Sequence, residues 1–228
     1  MKAIGKTLGC GAIAAALAIG TSTVQAQVVN GGMENAGQFN AGNPIGLPGV
    51  GQGWSTDFGG NPPNQSSAQA HSGSFSLLAV NAAGNAWNPQ GSYQIIANSS
   101  VGSPWTASLW AFTDTGTMGN DFSPNLVDFQ INFLDSALAA IGGGQVETGW
   151  SPINALNTWQ EYTLNGIIPA GTEYVSIYVM AMIGPNASGP VNVYFDDVSF
   201  SVIPEPSTFA LAGMGGLAVL TMIRRRKS

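Results

Sequence analysis

Hydrophobic and polar positions alternate with period two along most of the chain between residues 74 and 202, and that alternation predicts strands. After Leu126, Val127, Phe129, Ile131 and Phe133 alternate with Asp128, Gln130 and Asn132, the pattern of a strand with one face in a core and the other in water. Val175, Ile177, Val179, Ala181 and Ile183 alternate with Ser176, Tyr178, Met180 and Met182, which predicts a strand with both faces partly covered. Weaker segments of the same period occupy Ser74 to Val80, Ser92 to Ala97, Trp105 to Phe112, Leu138 to Glu147, Trp159 to Leu164 and Val191 to Val202. Turn clusters such as Asn61-Pro62-Pro63-Asn64, Gly142-Gly143-Gly144, Pro169-Ala170-Gly171 and Gly184-Pro185-Asn186 separate them. Eight or nine strands with no amphipathic helix predict an all-β fold, an antiparallel β-sandwich. The Gly- and Pro-rich stretch from Gly31 to Asn64 reads as a long loop.

The two ends break this pattern. Lys2 and Lys6 precede an apolar run from Leu8 to Ile19, and Val24-Gln25-Ala26 offers the small residues that a signal peptidase reads, so residues 1–26 form a secretory signal peptide cleaved before Gln27. At the other end stand Pro204-Glu205-Pro206, an apolar run from Phe209 to Ile223, and Arg224-Arg225-Arg226-Lys227. The apolar run holds about 15 residues, roughly 22 Å of helix against roughly 30 Å of bilayer core, so it makes a short transmembrane helix whose basic end stays cytoplasmic. A stiff polar tripeptide, a short hydrophobic helix and a cationic stop, in that order over residues 202–228, resemble the PEP-CTERM sorting signal of Gram-negative, exopolysaccharide-producing bacteria. The resemblance implies export through the inner membrane, transient anchoring by helix 209–223, and recognition near the PEP motif by the membrane enzyme exosortase, with delivery to the cell surface or extracellular matrix. A plain C-terminal anchor is the alternative.

Setting the ends aside changes the charge picture. All six Lys and Arg residues belong to them, so residues 27–203 hold eleven acids and no base. An inward-facing carboxylate there has no Lys or Arg to pair with; it must be protonated, held by N–H and O–H donors, or bound to a cation. Nucleic acid, which needs Lys and Arg against its phosphates, is excluded as a partner. The single cysteine, Cys10, lies in the signal peptide, so the mature chain has neither disulfides nor thiol chemistry.

Within the body, Val29-Asn30-Gly31-Gly32-Met33-Glu34 opens the mature chain, Ala70-His71-Ser72-Gly73-Ser74-Phe75 follows, Pro169-Ala170-Gly171-Thr172 precedes a strand, and Tyr194-Phe195-Asp196-Asp197-Val198-Ser199-Phe200 closes the domain. This succession resembles the galactose-binding-like jelly roll shared by several carbohydrate-binding modules, here over residues 27–201. The resemblance implies a structural Ca²⁺ held by Glu34, by His71 or Ser72 through backbone carbonyls, and by Asp196 or Asp197. Carboxylates and carbonyls are the oxygens that calcium takes, and strand geometry sends adjacent side chains to opposite faces, so one of the two aspartates is expected to enter the site.

Catalysis finds little support. His71 is the only histidine and no Gly-x-Ser-x-Gly elbow accompanies it, which leaves paired carboxylates among Asp114, Asp121, Asp128, Glu147 and Glu161 as the enzymatic option, glycoside hydrolysis. Neutral sugars are recognised instead by aromatic faces and amide side chains, and Trp54, Trp87, Tyr93, Trp110, Trp150 and Tyr178 stand among Asn and Gln. Trp87 and Trp150 fall near loop ends and are the expected exposed, carbohydrate-binding pair; Trp105, Trp110 and Trp159 sit in strand patterns and are expected in the core. The sequence therefore predicts a non-enzymatic, surface-delivered module that binds polysaccharide in the exopolysaccharide or biofilm matrix. An adhesive matrix protein without a specific ligand and a glycoside hydrolase are the alternatives.

Overall fold

The computed structural model describes residues 27–40, 53–58, 63–81, 88–98, 100–114, 126–153, 155–182 and 191–203. The signal peptide, Trp87, Asp121, and the tail with Pro204, Glu205, Pro206, helix 209–223 and the basic residues 224–227 lie outside them. After a short 3-10 turn, Ala36–Gln38, the strands run β1 (Phe39–Asn40), β2 (Trp54–Phe58), β3 (Asn64–Ser66), β4 (Ser76–Asn81), β5 (Gln90–Ala97), β6 (Pro104–Thr113), β7 (Leu126–Leu134), β8 (Ala140–Glu147), β9 (Ser151–Pro152), β10 (Gln160–Ile167), β11 (Tyr174–Met182) and β12 (Val191–Val202). Among the described residues no helix is long and apolar enough to cross a membrane.

Two sheets face each other. The larger has the order β1-β2-β5-β11-β7-β8, with β9 also beside β7; the smaller has the order β10-β6-β12-β4-β3. Every pairing is antiparallel except that of β1 with β2. The period-two reading is realised in the core: Val127, Phe129, Ile131 and Phe133 of β7 and Val175, Ile177 and Val179 of β11 face Leu109 of β6 and Phe195 of β12 in one buried cluster. Trp105 bridges the layers, stacked on Phe200 at 5.5 Å and edge-on to Phe133 at 5.6 Å. Ordered this way, the apolar half of each strand leaves water together, which is the main source of stability available to a chain without disulfides.

The segment expected to be one long loop contains strands. β1, β2 and the start of β3 fall between Gly31 and Asn64, and they escape period-two reading because they hold two, five and three residues. Trp54 of β2 is a core residue, 1 % exposed.

Ahead of β1, residues 29–34 form a strap that ties the sheets together. Val29 donates its N–H to Gln94 Oε1 (2.7 Å) and accepts from Gln94 Nε2 (2.9 Å); Trp54 Nε1 donates to Asn30 O (3.0 Å); Val198 N donates to Gly31 O (3.0 Å). Gln94 and Trp54 belong to the larger sheet and Val198 to the smaller, so three hydrogen bonds of the strap are directed to one layer and one to the other. The turn inside it, Met33 N to Asn30 O at 3.1 Å, holds Asn30 and Met33 in left-handed backbone conformations.

A Cβ on Gly31 would stand 2.1 Å from the carbonyl oxygen of Val198. Gly31→Ala must therefore push the strap off β12, and we expect a loss of at least about 2 kcal/mol of stability, the scale of overpacking against backbone that cannot retreat. Urea unfolding reads it; an unchanged midpoint would refute the docking of the strap.

Candidate functional site

One cluster lies where the strap meets the outer face of the smaller sheet. β12 carries one extra residue against β6: Asp196 pairs with Trp110 and Ser199 with Ser108, so three residues on β12 match two on β6, a β-bulge. Asp197, inside the bulge, has a left-handed backbone with φ 47°. This corrects the expectation that strand alternation would send the two aspartates to opposite faces, because the bulge breaks the alternation. Both carboxylates reach the same turn. Asp196 Oδ2 accepts the backbone N–H of His71 (2.8 Å) and of Ser72 (3.1 Å), while its Oδ1 accepts that of Asp197 (2.7 Å). Asp197 accepts from Ser72 Oγ and from His71 Nδ1, each at 2.7 Å.

Glu34 closes the cluster from the strap, its Oε1 accepting the N–H groups of Ser74 and Phe75, both at 2.9 Å. The close approach needs Gly73, whose φ is +60° and where a Cβ would stand 2.4 Å from Glu34 Oε1. The His71 ring lies flat on Trp110 at 4.0 Å and edge-on to Trp159 at 5.4 Å. The five residues expected around a cation, Glu34, His71, Ser72, Asp196 and Asp197, thus come together from three distant parts of the chain. Their contacts are a hydrogen-bonded latch, and among the described residues no three His, Cys, Asp or Glu side chains are grouped so as to hold a metal ion. Of the oxygens that a hard cation takes, the cluster supplies the carboxylates of Glu34, Asp196 and Asp197, towards which His71 and Ser72 turn their N–H and O–H groups.

The opposite side of the molecule carries a groove of about 410 Å³ on the outer face of the larger sheet, lined by Gln130, Asn132, Gln145, Ser176, Tyr178 and Met180 with apolar Ile95, Leu134, Leu138 and Ala140. Register builds it. Glu147, Gln130, Tyr178 and Tyr93 stand side by side on β8, β7, β11 and β5, and Gln145, Asn132, Ser176 and Ile95 form the next row. Tyr93 and Tyr178 are stacked at 5.0 Å, and Tyr178 lines the groove. Asp128, two residues before Gln130 on the same face, is 3 % exposed and receives a 3.4 Å hydrogen bond from Thr148 Oγ1. Burial, reinforced by the nearby charge of Glu147, pushes its carboxyl up to about 6.

The tryptophans divide among three environments. Trp105 and Trp54 are core; Trp150, 37 % exposed, stands in the loop between β8 and β9 as expected. Trp110 and Trp159 are half-buried on the outer face of the smaller sheet, not in the core as expected, because Trp110 shares the outward parity of Ser108 and Phe112 on β6. The Tyr93–Tyr178 stack was present in the sequence only as two members of an aromatic list, since their side-by-side register joins positions 85 apart.

Residues 202–227 match the family model of the PEP-CTERM protein-sorting motif. The tail is a PEP-CTERM sorting signal. It marks an exported protein held transiently at the membrane by that tail. No curated protein matches the chain. Among solved structures, the chain is similar to the N-terminal CBM22-1-CBM22-2 tandem domain of Paenibacillus barcinonensis Xyn10C, with 16 % identity and a TM-score of 0.50 over 78 % of this chain and 50 % of that one. A protein of Bacteroides thetaiotaomicron with a sugar-binding designation aligns at 12 % identity and TM-score 0.50 over 77 % of this chain and 99 % of its own. The enzymatically active domain of tailspike protein 4 from bacteriophage CBA120 aligns at 17 % identity and TM-score 0.50 over 77 % of this chain, which spans 21 % of the tailspike chain. At these identities the likeness establishes the fold alone, a jelly-roll β-sandwich.

Asp196 is wholly buried, and burial pushes it up to about 6 against the pull of its three N–H donors. Asp128 and Asp196 thus hold protons more tightly in the folded chain than at the ordinary 3.8. Between those values the folded state binds the extra protons, so stability falls as pH rises through about 4 to 6 and both groups ionise. Asp128→Asn is expected to stabilise the protein at about pH 7.5 by up to about 3 kcal/mol and to do little at about pH 3, below the unfolded value. Denaturant titrations at the two pH values decide it, and a larger gain in acid would contradict it.

Proposed function

We propose that the exported body is a non-enzymatic module that binds polysaccharide on the outer face of the larger sheet. The observation that carries this reading is the groove itself, lined by Tyr178 of the Tyr93–Tyr178 stack together with the amides of Gln130, Asn132 and Gln145. An aromatic face covers the C–H surface of a sugar and amides meet its hydroxyls, so neither Lys nor Arg is required. Signal peptidase removes residues 1–26, exosortase acts at Pro204-Glu205-Pro206 ahead of Arg224, Arg225 and Arg226, and the delivered module works in the exopolysaccharide or biofilm matrix of a Gram-negative cell.

A glycoside hydrolase has one observation in its favour, the raised carboxyl of Asp128 beside Glu147. Asp128 is 3 % exposed and is not among the residues that line the groove, so it is not placed to protonate a glycosidic oxygen there. Binding without turnover is therefore the better reading.

The decisive experiment is a glycan array followed by titration with the ligand it identifies. Tyr178→Ala should weaken binding about tenfold, the worth of one aromatic stacking contact. Full binding by Tyr178→Ala, with loss in Trp150→Ala or Trp87→Ala, would move the site to the loop ends.

We also propose calcium at the latch. Glu34, Asp196 and Asp197 all hold the 71–75 turn, in a body with no Lys or Arg to offset their charge. This support comes from charge, because Asp196 and Asp197 accept hydrogen bonds on both of their oxygens and a cation would exchange some of these. At fixed ionic strength calcium should raise the melting temperature by several degrees over chelator, and Glu34→Gln should abolish the difference; identical melting with and without calcium would exclude the ion.

A further inference from the structure

The polar wall of the groove has a definite orientation, and it is imposed by one carboxylate. Glu147 Oε2 lies 2.7 Å from both Gln130 Nε2 and Gln145 Nε2. A carboxylate only accepts, so both amides must turn their nitrogens to it. Gln130 then presents Oε1 towards Asn132, which donates Nδ2 to it at 3.2 Å. The orientation passes along the row: with its nitrogen engaged, Asn132 turns Oδ1 away from that bond, and Gln145 turns Oε1 away from Glu147. Gln130, Asn132 and Gln145 all line the groove. The wall thus offers the outward oxygens of Asn132 and Gln145 alongside the second N–H of each amide, with the exposed carboxylate of Glu147 on β8 paired beside Gln130, and residues 27–203 hold no Lys or Arg to offset that charge.

Building on the binding reading above, we propose that this groove selects sugars bearing a free amine, of the 2-amino-2-deoxyhexose class, over their N-acetylated forms, and rejects uronates. A protonated amine brings three donors and a positive charge to the Glu147 carboxylate and the outward amide oxygens beside it, and hydrogen bonds between ionised partners are roughly twice as strong as neutral ones. Acetylation removes the charge and all but one of the donors. A uronate brings a second carboxylate to Glu147, with no cation in the body to separate the two, which is discrimination by repulsion. Tyr178 supports all three sugars alike, so the choice among them rests on the row headed by Glu147.

The test is calorimetric titration of the full chain with four hexamers, of glucosamine, N-acetylglucosamine, galacturonic acid and glucose, at a pH that keeps the amine protonated and at physiological salt. The glucosamine hexamer should bind about tenfold more tightly than the N-acetylated one, and the galacturonate hexamer most weakly. Glu147→Gln, nearly isosteric and on an exposed position of β8, should bring the first two to within about twofold, and Asn132→Ala should lower glucosamine affinity without loss of fold by circular dichroism. Glu161→Gln, on an exposed position of the other sheet, should leave the preference intact. A preference that survives Glu147→Gln, or that disappears equally in Glu161→Gln, would assign it to overall charge and overturn the proposal. Binding of the glucose hexamer with no preference for the amine would also overturn it while leaving the carbohydrate-binding reading in place; binding of none of the four would count against both.

Discussion

A carboxylate of this fold must be protonated, met by N–H and O–H groups or bound to a cation, because residues 27–203 supply no ammonium or guanidinium group. Paired N–H donors meet four carboxylates, of which Asp196 is buried and Glu34 and Glu147 are exposed. Asp196 takes three backbone amides, Glu34 takes two, Asp135 takes those of Ala137 and Ala139 at 2.8 and 3.0 Å, and Glu147 takes two side-chain amides. Backbone amides can converge on one oxygen only where the chain turns tightly, which accounts for the glycine at position 73. The abundance of Asn and Gln has the same origin: they are the donors left to a chain that has given up cations.

The constraint also divides the molecule by function. On the smaller sheet the carboxylates are enclosed by the 71–75 turn and serve to join the first segment of the body to its last strand. On the larger sheet the carboxylate of Glu147 is exposed, and its donors are side chains whose other ends remain available. An acid satisfied by backbone makes a fastening, whereas an acid satisfied by amide side chains makes a surface with a direction. The same chemistry supplies a fastening on one face and an exposed, oriented row of amides on the other.

Much of the sandwich was legible in the sequence because long strands with one apolar face announce themselves, as β7 and β11 do. The short strands β1, β2, β3 and β9 were not, since two to five residues give no period to read. The convergence of Glu34, His71, Ser72, Asp196 and Asp197 was legible from the order of motifs. What defeated sequence reasoning there was the bulge, which places a non-glycine residue, Asp197, at φ 47° and turns two adjacent carboxylates to one side. The groove was hidden for another reason. Alternation shows that Tyr178 and Gln130 point outward, but only the pairing of β11 with β5 and β7 shows that they are neighbours of Tyr93 and Glu147. Attention to tryptophans near loop ends passed over a tyrosine in mid-strand for that reason.

Ile203, the last of the described residues, donates its N–H to Pro104 O at 2.8 Å, one residue before the sorting motif's proline. β12, which leads there, is flanked by β6 on one side and β4 on the other at the centre of its sheet. Any tension between a tethered tail and a load gripped on the far layer must then enter through an interior strand and cross the apolar seam between the layers. Such a force meets sliding resistance from two neighbours at once instead of peeling a border strand away, so the point of attachment is also the place where the body is hardest to unravel.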